Sequence, residues 1–351
     1  MLHKAHSVDA LRRLPHSPER TSTVKLPSTT WSEQIAPDED SRFARYAAQL
    51  TAIQEQRSKK FSRGRALHRK QLLALRAEFE VLAQLPPTAC QGLFKAPGRY
   101  AAHVRLSNGS MDVQADRVPD IRGFAIKVLG LNGPGALGAV TQAQDFLLIN
   151  NECFGLKNSD EFMGLATSAA KGKGALVAHF LKTHGIFGGL ARLKEALASI
   201  GKPFSGYATE RFFSAVALTN GPYAMRIRLL PPPGQKAETD ESKDWGQAMA
   251  RRVKKEPLVY EFQIQFFVDE ATTPIENGSI NWEEADSPYV TVARLHILQQ
   301  DTDSPEAKTF AATVDRSSFD PWCALAEHRP LGDIMRARKH AYFASQKQRG
   351  A

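Results

Sequence analysis

The run Phe212–Leu230, FFSAVALTNGPYAMRIRLL, decides the fold class. Asn220-Gly221 stands between two apolar runs, and this residue pair suits the positive φ angles of a tight hairpin turn. Tyr223–Leu230 alternates in hydrophobicity, the period of a strand with one buried face. Strands joined by so short a turn must pair antiparallel. Working outward, Tyr260–Val268 (YEFQIQFFV) and Tyr289–Leu298 (YVTVARLHIL) are the clearest strands downstream. Upstream, His103–Ser107, Gly123–Leu129 and Asp145–Asn150 read the same way.

Helical spacing surrounds these strands. Phe43, Tyr46, Ala47, Leu50 and Ile53 recur on one helical face, and Gln71–Gln84 carries a second amphipathic pattern that predicts another helix. Helical patterns fill about 158–200 between Gly-rich breaks, Pro231–Asp244 is a polar loop, and Asp333–Arg349 forms a last helix. Strands in hairpins with helices gathered at the ends predict an α+β fold, not alternating βαβ units. Residues 1–40, rich in Ser, Thr, Pro and charge, predict a flexible arm, and residues 41–351 one domain. No internal repeat is present. Gly133–Gly138 (GPGALG) matches the spacing of a dinucleotide-binding loop, but AVTQAQ leads from it into another strand, so it predicts a strand connection.

Composition narrows the function classes. No run approaches the ~20 apolar residues of a membrane span. Met1–Arg20 has no apolar h-region, which argues against a secretory signal; rich in Arg and His and poor in acid, it is compatible with a transit peptide. Cys90, Cys153 and Cys323 are scattered, form no zinc spacing and predict packing thiols in a cytoplasmic setting. The net charge of +9 is densest at Arg57–Lys70, RSKKFSRGRALHRK. Aromatic residues are not interleaved there as a single-strand platform needs, so nucleic acid is not the expected partner. The run reads as a solvated basic face or as a source of cations for an anionic ligand.

The last helix, DIMRARKHAYFASQKQR, carries the sharpest chemical signal. Arg338 and Tyr342 are four residues apart and Arg349 lies seven further on, all on one face. Two cations favour the phenolate form of the tyrosine between them. A phenolate is a strong ligand for ferric iron, and tyrosine is one of the axial ligands of haem. Arg42 and Tyr46 repeat the spacing and read as an exposed helix face.

Several segments, in order along the chain, resemble the haem catalase superfamily. Arg65-Ala66-Leu67-His68 looks like the segment with the distal histidine. Val104-Arg105-Leu106-Ser107 and Pro119–Lys127 (PDIRGFAIK) are similar to the V-R-F-S and R-D-x-R-G-F-A-V-K strands. Arg338, Tyr342 and Arg349 match the proximal R-x-x-x-Y and its following arginine. Phe146–Asn150 with Phe154 and Phe162 is a looser match, as are Tyr289–Ile297 and Phe319-Asp320-Pro321.

The resemblance implies a closed antiparallel β-barrel with flanking helices and a C-terminal haem-ligating helix. It implies ferric haem, of the b type, with Tyr342 on the iron and Arg338 holding the phenolate. His68 would move the peroxide proton, and Asn150, or Asn151 beside it, would hydrogen-bond the peroxide. Ser107 would bond the distal imidazole, Phe162 would stack near haem, and Arg65, Arg105 and Arg349 would pair with the propionates. The implied activity is peroxide disproportionation or peroxidation of a small organic donor, with a homo-oligomer as a possible assembly. Fatty-acid hydroperoxide rearrangement, favoured by bulky Leu72-Leu73 after the distal histidine, and non-catalytic haem binding are the alternatives. The sequence stops just past Arg349, so a barrel without the C-terminal appendages of large catalases is expected.

Overall fold

The computed structural model of the chain describes residues 24–237 and 244–351. The arm predicted for residues 1–40 falls mostly outside them, as does the tip of the polar loop after Pro231. Nine strands follow in chain order: β1 (Gln71–Val81), β2 (Gly98–Asn108), β3 (Arg122–Pro134), β4 (Val140–Ile149), β5 (Phe212–Phe213), β6 (Leu218–Asn220), β7 (Tyr223–Leu230), β8 (Leu258–Phe266) and β9 (Val290–Ile297). Six helices accompany them: α1 (Glu39–Phe61), α2 (Ser159–Lys171), α3 (Lys173–Ile200), α4 (Trp245–Lys255), α5 (Pro305–Arg316) and α6 (Asp333–Arg349).

Every strand pair is antiparallel. β1 lies between β2 and β9, and the order runs on through β3, β4 and β5 on one side and β8 and β7 on the other. Pairing of β5 with both β4 and β7 closes the ring as an eight-stranded barrel, with β6 continuing beside β7. Inward residues at every second position fill the barrel: Leu75 and Phe79 of β1, Val104 and Leu106 of β2, Phe124 and Ile126 of β3. The Phe79 and Phe262 rings meet edge to face at 5.1 Å, so the interior is a packed core and not a channel. Chemistry must therefore sit at a barrel end. The start of β1, the end of β2, the start of β3 and the end of β4 all lie at one end.

Three readings are corrected. Gln71–Gln84 is no helix: QLLALRAEFEV forms β1. Its helix-forming composition is overridden because Leu75, Ala77, Phe79 and Val81 also fit the two-residue period and are buried between β2 and β9. The strand read over Phe212–Leu218 is interrupted between β5 and β6, where Ala215 takes φ 62°. Ser214 Oγ there accepts the Ile227 N–H at 3.0 Å, keeping β7 bonded across the gap. Arg42 and Tyr46 are not an exposed decoration either. Arg42 pairs with Asp160 and Asp333 at 3.0 and 3.3 Å, and Tyr46 Oη bonds Asp160, tying α1 to α2 and α6.

Other readings hold. β6 ends at Asn220 and β7 begins at Tyr223, with Gly221 at φ 60° in the turn. The GPGALG segment turns β3 into β4 and opens no helix. The three cysteines are free and half-buried. No helix among the described residues is long and apolar enough to cross a membrane.

Helix α6 packs along α1 below the barrel end. Ser345 Oγ donates to Gln54 Oε1 at 2.5 Å, and Gln54 Nε2 donates to the Ser345 carbonyl at 3.2 Å. Arg336 anchors the same helix to Glu33 and Glu39 at 2.7 Å and to Glu276 at 2.9 Å. The basic run at Arg57–Lys70 divides. Arg57 pairs with Asp112 at 2.8 Å and Lys70 with Asp116 at 2.5 Å, Arg65 and Arg69 point inward, and Lys59 and Lys60 stay on the surface.

Candidate active site

His68 lies in the connection that enters β1, with φ 49°, a left-handed conformation rare for a side chain larger than glycine. Two contacts hold it there. Its N–H donates to the Gly109 carbonyl at 3.0 Å, and its carbonyl accepts from Arg105 Nη2 at 3.0 Å. The ring turns to the barrel end, where Nδ1 meets Ser107 Oγ at 3.0 Å. Gly123 makes the room. A Cβ on it would stand 2.6 Å from both His68 Nδ1 and Ser107 Oγ. Ser107 and Gly123 are register partners on β2 and β3, so adjacent strands build this cradle. Nε2 has no hydrogen-bond partner among the described residues.

The imidazole keeps some accessible surface but is enclosed deeply enough for burial to dominate its titration. Burial first, then the charges of Arg105, Arg338 and Arg65, push its pKa down to about 3. It is therefore neutral at physiological pH, with its Nε2 lone pair unprotonated or its Nδ1 so, according to the tautomer.

Asn150 follows β4 directly and is buried. Its Oδ1 accepts the Arg122 N–H at 2.7 Å, fixing the amide beside Gly123, the next residue of β3. Asn151 instead donates to Ser199 Oγ at 3.1 Å, in α3. Of the two asparagines, Asn150 is thus tied to the cradle strand and Asn151 to α3.

Three arginines converge beside this end of the barrel. Arg65 bonds the Asp315 carbonyl at 2.8 Å, Asp315 Oδ1 at 3.1 Å and the Ser317 carbonyl at 2.7 Å. Arg105 reaches the same Oδ1 at 3.1 Å, and Arg349 touches the carbonyls of Asp315, Arg316 and Ser317 at 3.4–3.5 Å. Two guanidiniums thus share one carboxylate, and the third meets only backbone carbonyls. Burial, then Arg105 and Arg349, push the Arg65 pKa down to about 8. Burial also lowers those of Arg105 and Arg349. The Nε atoms of Arg105 and Arg349 are buried with no partner. Such a cluster is short of negative charge and of acceptors.

On α6, Arg338 Nη2 donates to Tyr342 Oη at 2.9 Å, with the guanidinium 5.1 Å from the ring centre. The Tyr342 oxygen acts electrostatically on Arg65 and Arg105, and Arg338 acts on His68, so both ends of the cluster share one space. Phe162, on α2, packs its ring 5.5 Å from that of Phe154. The structure thus gathers His68, Ser107, Arg65, Arg105, Arg349, Arg338 and Tyr342, with Asn150 just past the end of β4, while Phe162 pairs with Phe154. Sequence reasoning missed Asp315 and the cradle role of Gly123. A cleft of about 440 Å³ between Arg76 and the outer side of α5 shares no lining residue with this group.

No protein-family model matches the chain, and no curated protein matches it in sequence. Solved structures do. Catalase A from Saccharomyces cerevisiae superposes with a TM-score of 0.64 at 17% identity, over 82% of this chain and 61% of that one. A fungal catalase gives 0.65 at 14% identity over 98% and 69%, and a bacterial catalase 0.62 at 14% over 96% and 67%. The chain spans about three-fifths to two-thirds of these neighbours. It has the catalase-like fold, a closed antiparallel barrel with its helices packed outside.

Proposed function

We propose that the protein is a haem-dependent oxidoreductase acting on peroxide, by disproportionation or by oxidation of a small organic donor. The observation that carries this is the cluster of Arg65, Arg105 and Arg349, in which a single carboxylate, that of Asp315, meets two of the three guanidiniums, beside Tyr342 and His68. Its unmet charge and its two orphaned buried Nε atoms suit a ligand with two carboxylates. One phenol oxygen is too few donors to hold a metal ion unaided, so Tyr342 suits a metal that brings its own ligand ring. Haem answers both requirements.

In this reading Tyr342 would ligate the iron as a phenolate, stabilised by the Arg338 hydrogen bond, and the three arginines would hold the propionates. Bound haem would supply a redox centre able to give two electrons to a peroxide O–O bond and to recover them from a second peroxide or an organic donor. His68 Nε2 takes the proton of the incoming hydroperoxide and delivers it to the departing oxygen. General acid–base help of this kind is worth roughly 10²–10⁴ in rate. Ser107 and Gly123 fix the imidazole plane, and Asn150 Nδ2 orients the peroxide. The low pKa of His68 keeps the base neutral, which the first proton transfer requires.

The test is the visible spectrum of protein purified from haem-supplemented cells, recorded before and after hydrogen peroxide. A ferric Soret band that responds to peroxide is expected. Tyr342→Phe should weaken or alter the band, and His68→Ala should keep it but lose peroxide turnover. Absence of a Soret band would sink the proposal. A band indifferent to peroxide would reduce it to haem binding, and a preference for fatty-acid hydroperoxide over hydrogen peroxide would redirect it to rearrangement.

A further inference from the structure

Helix α3 is two helices. Gly185, at φ 71° and ψ 179°, breaks it, and the halves fold back so closely that a Cβ on Gly189 would stand 2.5 Å from the Phe180 carbonyl oxygen. In a straight helix, residues nine apart are about 13 Å apart. The reversal lifts Ile186 and Phe187 to the tip of a helical hairpin, where they are 68% and 89% exposed. Leu190 and Leu197 continue the stripe on the second half, also more than half exposed. An apolar tip of this size is costly to leave in water.

Charge says what covers it. No carboxylate stands between Glu161 and Glu195, whereas Lys171, Lys173, Lys182, Arg192 and Lys194 do. Arg192 pairs with Glu195 at 3.2 Å. The four lysines have no carboxylate partner among the described residues. A second copy of the chain would bring the same cations against these. A specific protein interface also takes about 800 Å² and 20–30 residues a side, more than one hairpin tip offers. An anionic lipid surface meets both halves of the pattern: acyl chains accept the apolar tip and headgroups accept the lysines.

We propose that the α3 hairpin docks the protein peripherally on anionic membranes, with Ile186 and Phe187 entering the interface and Lys182 and Lys194 facing the headgroups. The proposal does not depend on haem. The hairpin is tied to the candidate site's end of the barrel at its base, where Asn151, next to Asn150, is bonded to Ser199 near the end of the second half.

Co-sedimentation of the full chain with vesicles tests it. Binding is expected to equimolar phosphatidylcholine–phosphatidylglycerol and not to phosphatidylcholine alone, and should weaken in high salt. Phe187→Ser and the pair Lys182→Glu, Lys194→Glu should each lower affinity about tenfold or more. Val140→Ser, an exposed apolar site on the β3–β4 turn, should bind as wild type, and circular dichroism should show all variants folded. The proposal is overturned if the wild type ignores anionic vesicles, if Phe187→Ser binds unchanged, or if Val140→Ser loses as much. A wild-type dimer that Phe187→Ser splits would assign the face to a second copy instead.

Discussion

Gly123 has no room for a side chain, because the His68 ring and the Ser107 hydroxyl already occupy the position of its Cβ. Gly123→Ala should therefore push the imidazole out of the cradle and cost about 1–3 kcal/mol, the usual range for overpacking. Urea unfolding gives the cost, and loss of peroxide turnover with haem still bound would report the displaced ring. An unchanged midpoint and unchanged turnover would show that His68 is not seated there. Tyr342→Phe is a contrasting case. The residue is only half-buried on α6, so removing its hydroxyl should change stability by no more than about 1 kcal/mol while altering the haem spectrum. At this scale much of the candidate site could be read from local runs: Arg65 with His68, Arg105 with Ser107, Arg338 with Tyr342. Asp315 could not. Its two arginine partners lie 250 and 210 residues away, and one carboxylate among the polar residues of an amphipathic helix carries no local mark.

Among the elements, α6 depends on charges supplied from elsewhere. Arg336 sits among Glu33, Glu39 and Glu276, all largely buried. Arg336→Ala leaves three carboxylates without their common partner, and a loss of about 3 kcal/mol is expected from the breaking of such a network. Thermal denaturation should show a clearly lowered midpoint; a shift within error would mean the carboxylates are solvated well enough without it. The network also joins Glu33, in the segment before α1, to the terminal helix, so the loss should raise proteolysis of that segment. Pattern reading succeeded for elements with one dominant period, such as β7, β8 and β9. It failed for β1, whose leucines, alanines and glutamate-rich outer face satisfy both periods at once. Only the presence of β2 and β9 on either side selects the strand. The short β5 and β6 were blurred into one for a similar reason: the break at Ala215 is a backbone event with no compositional trace.

At the scale of the whole molecule, His328 and His68 couple stability to pH. His328 is fully buried, its Nε2 accepting the Leu93 N–H at 2.9 Å and its Nδ1 3.3 Å from the Thr219 carbonyl. Burial pushes its pKa down to about 4, as it does more strongly for His68. An unfolded histidine, near 6.5, binds a proton that the folded one refuses. The stability each contributes is whole above pH 6.5 and is lost as the pH falls toward the folded pKa. For His328 the difference amounts to about 3 kcal/mol by pH 4. Unfolding midpoints measured against pH for the wild type and for His328→Gln should converge in acid, with the variant's profile flatter between pH 6.5 and 4. Parallel profiles would mean that His328 is protonated in the folded protein.

The sequence by itself determined the antiparallel strands, the terminal helix and most of the residues that gather at the barrel end, because hairpin turns, two-residue periods and i,i+4 spacing are local properties. Closure of the strands into a barrel was implied by the family resemblance and by no local pattern, and only the tertiary structure decided that β1 is a strand, that Asp315 is shared by two arginines and that α3 doubles back on itself. Those outcomes rest on contacts between residues far apart in the chain, where packing and desolvation outweigh local preference.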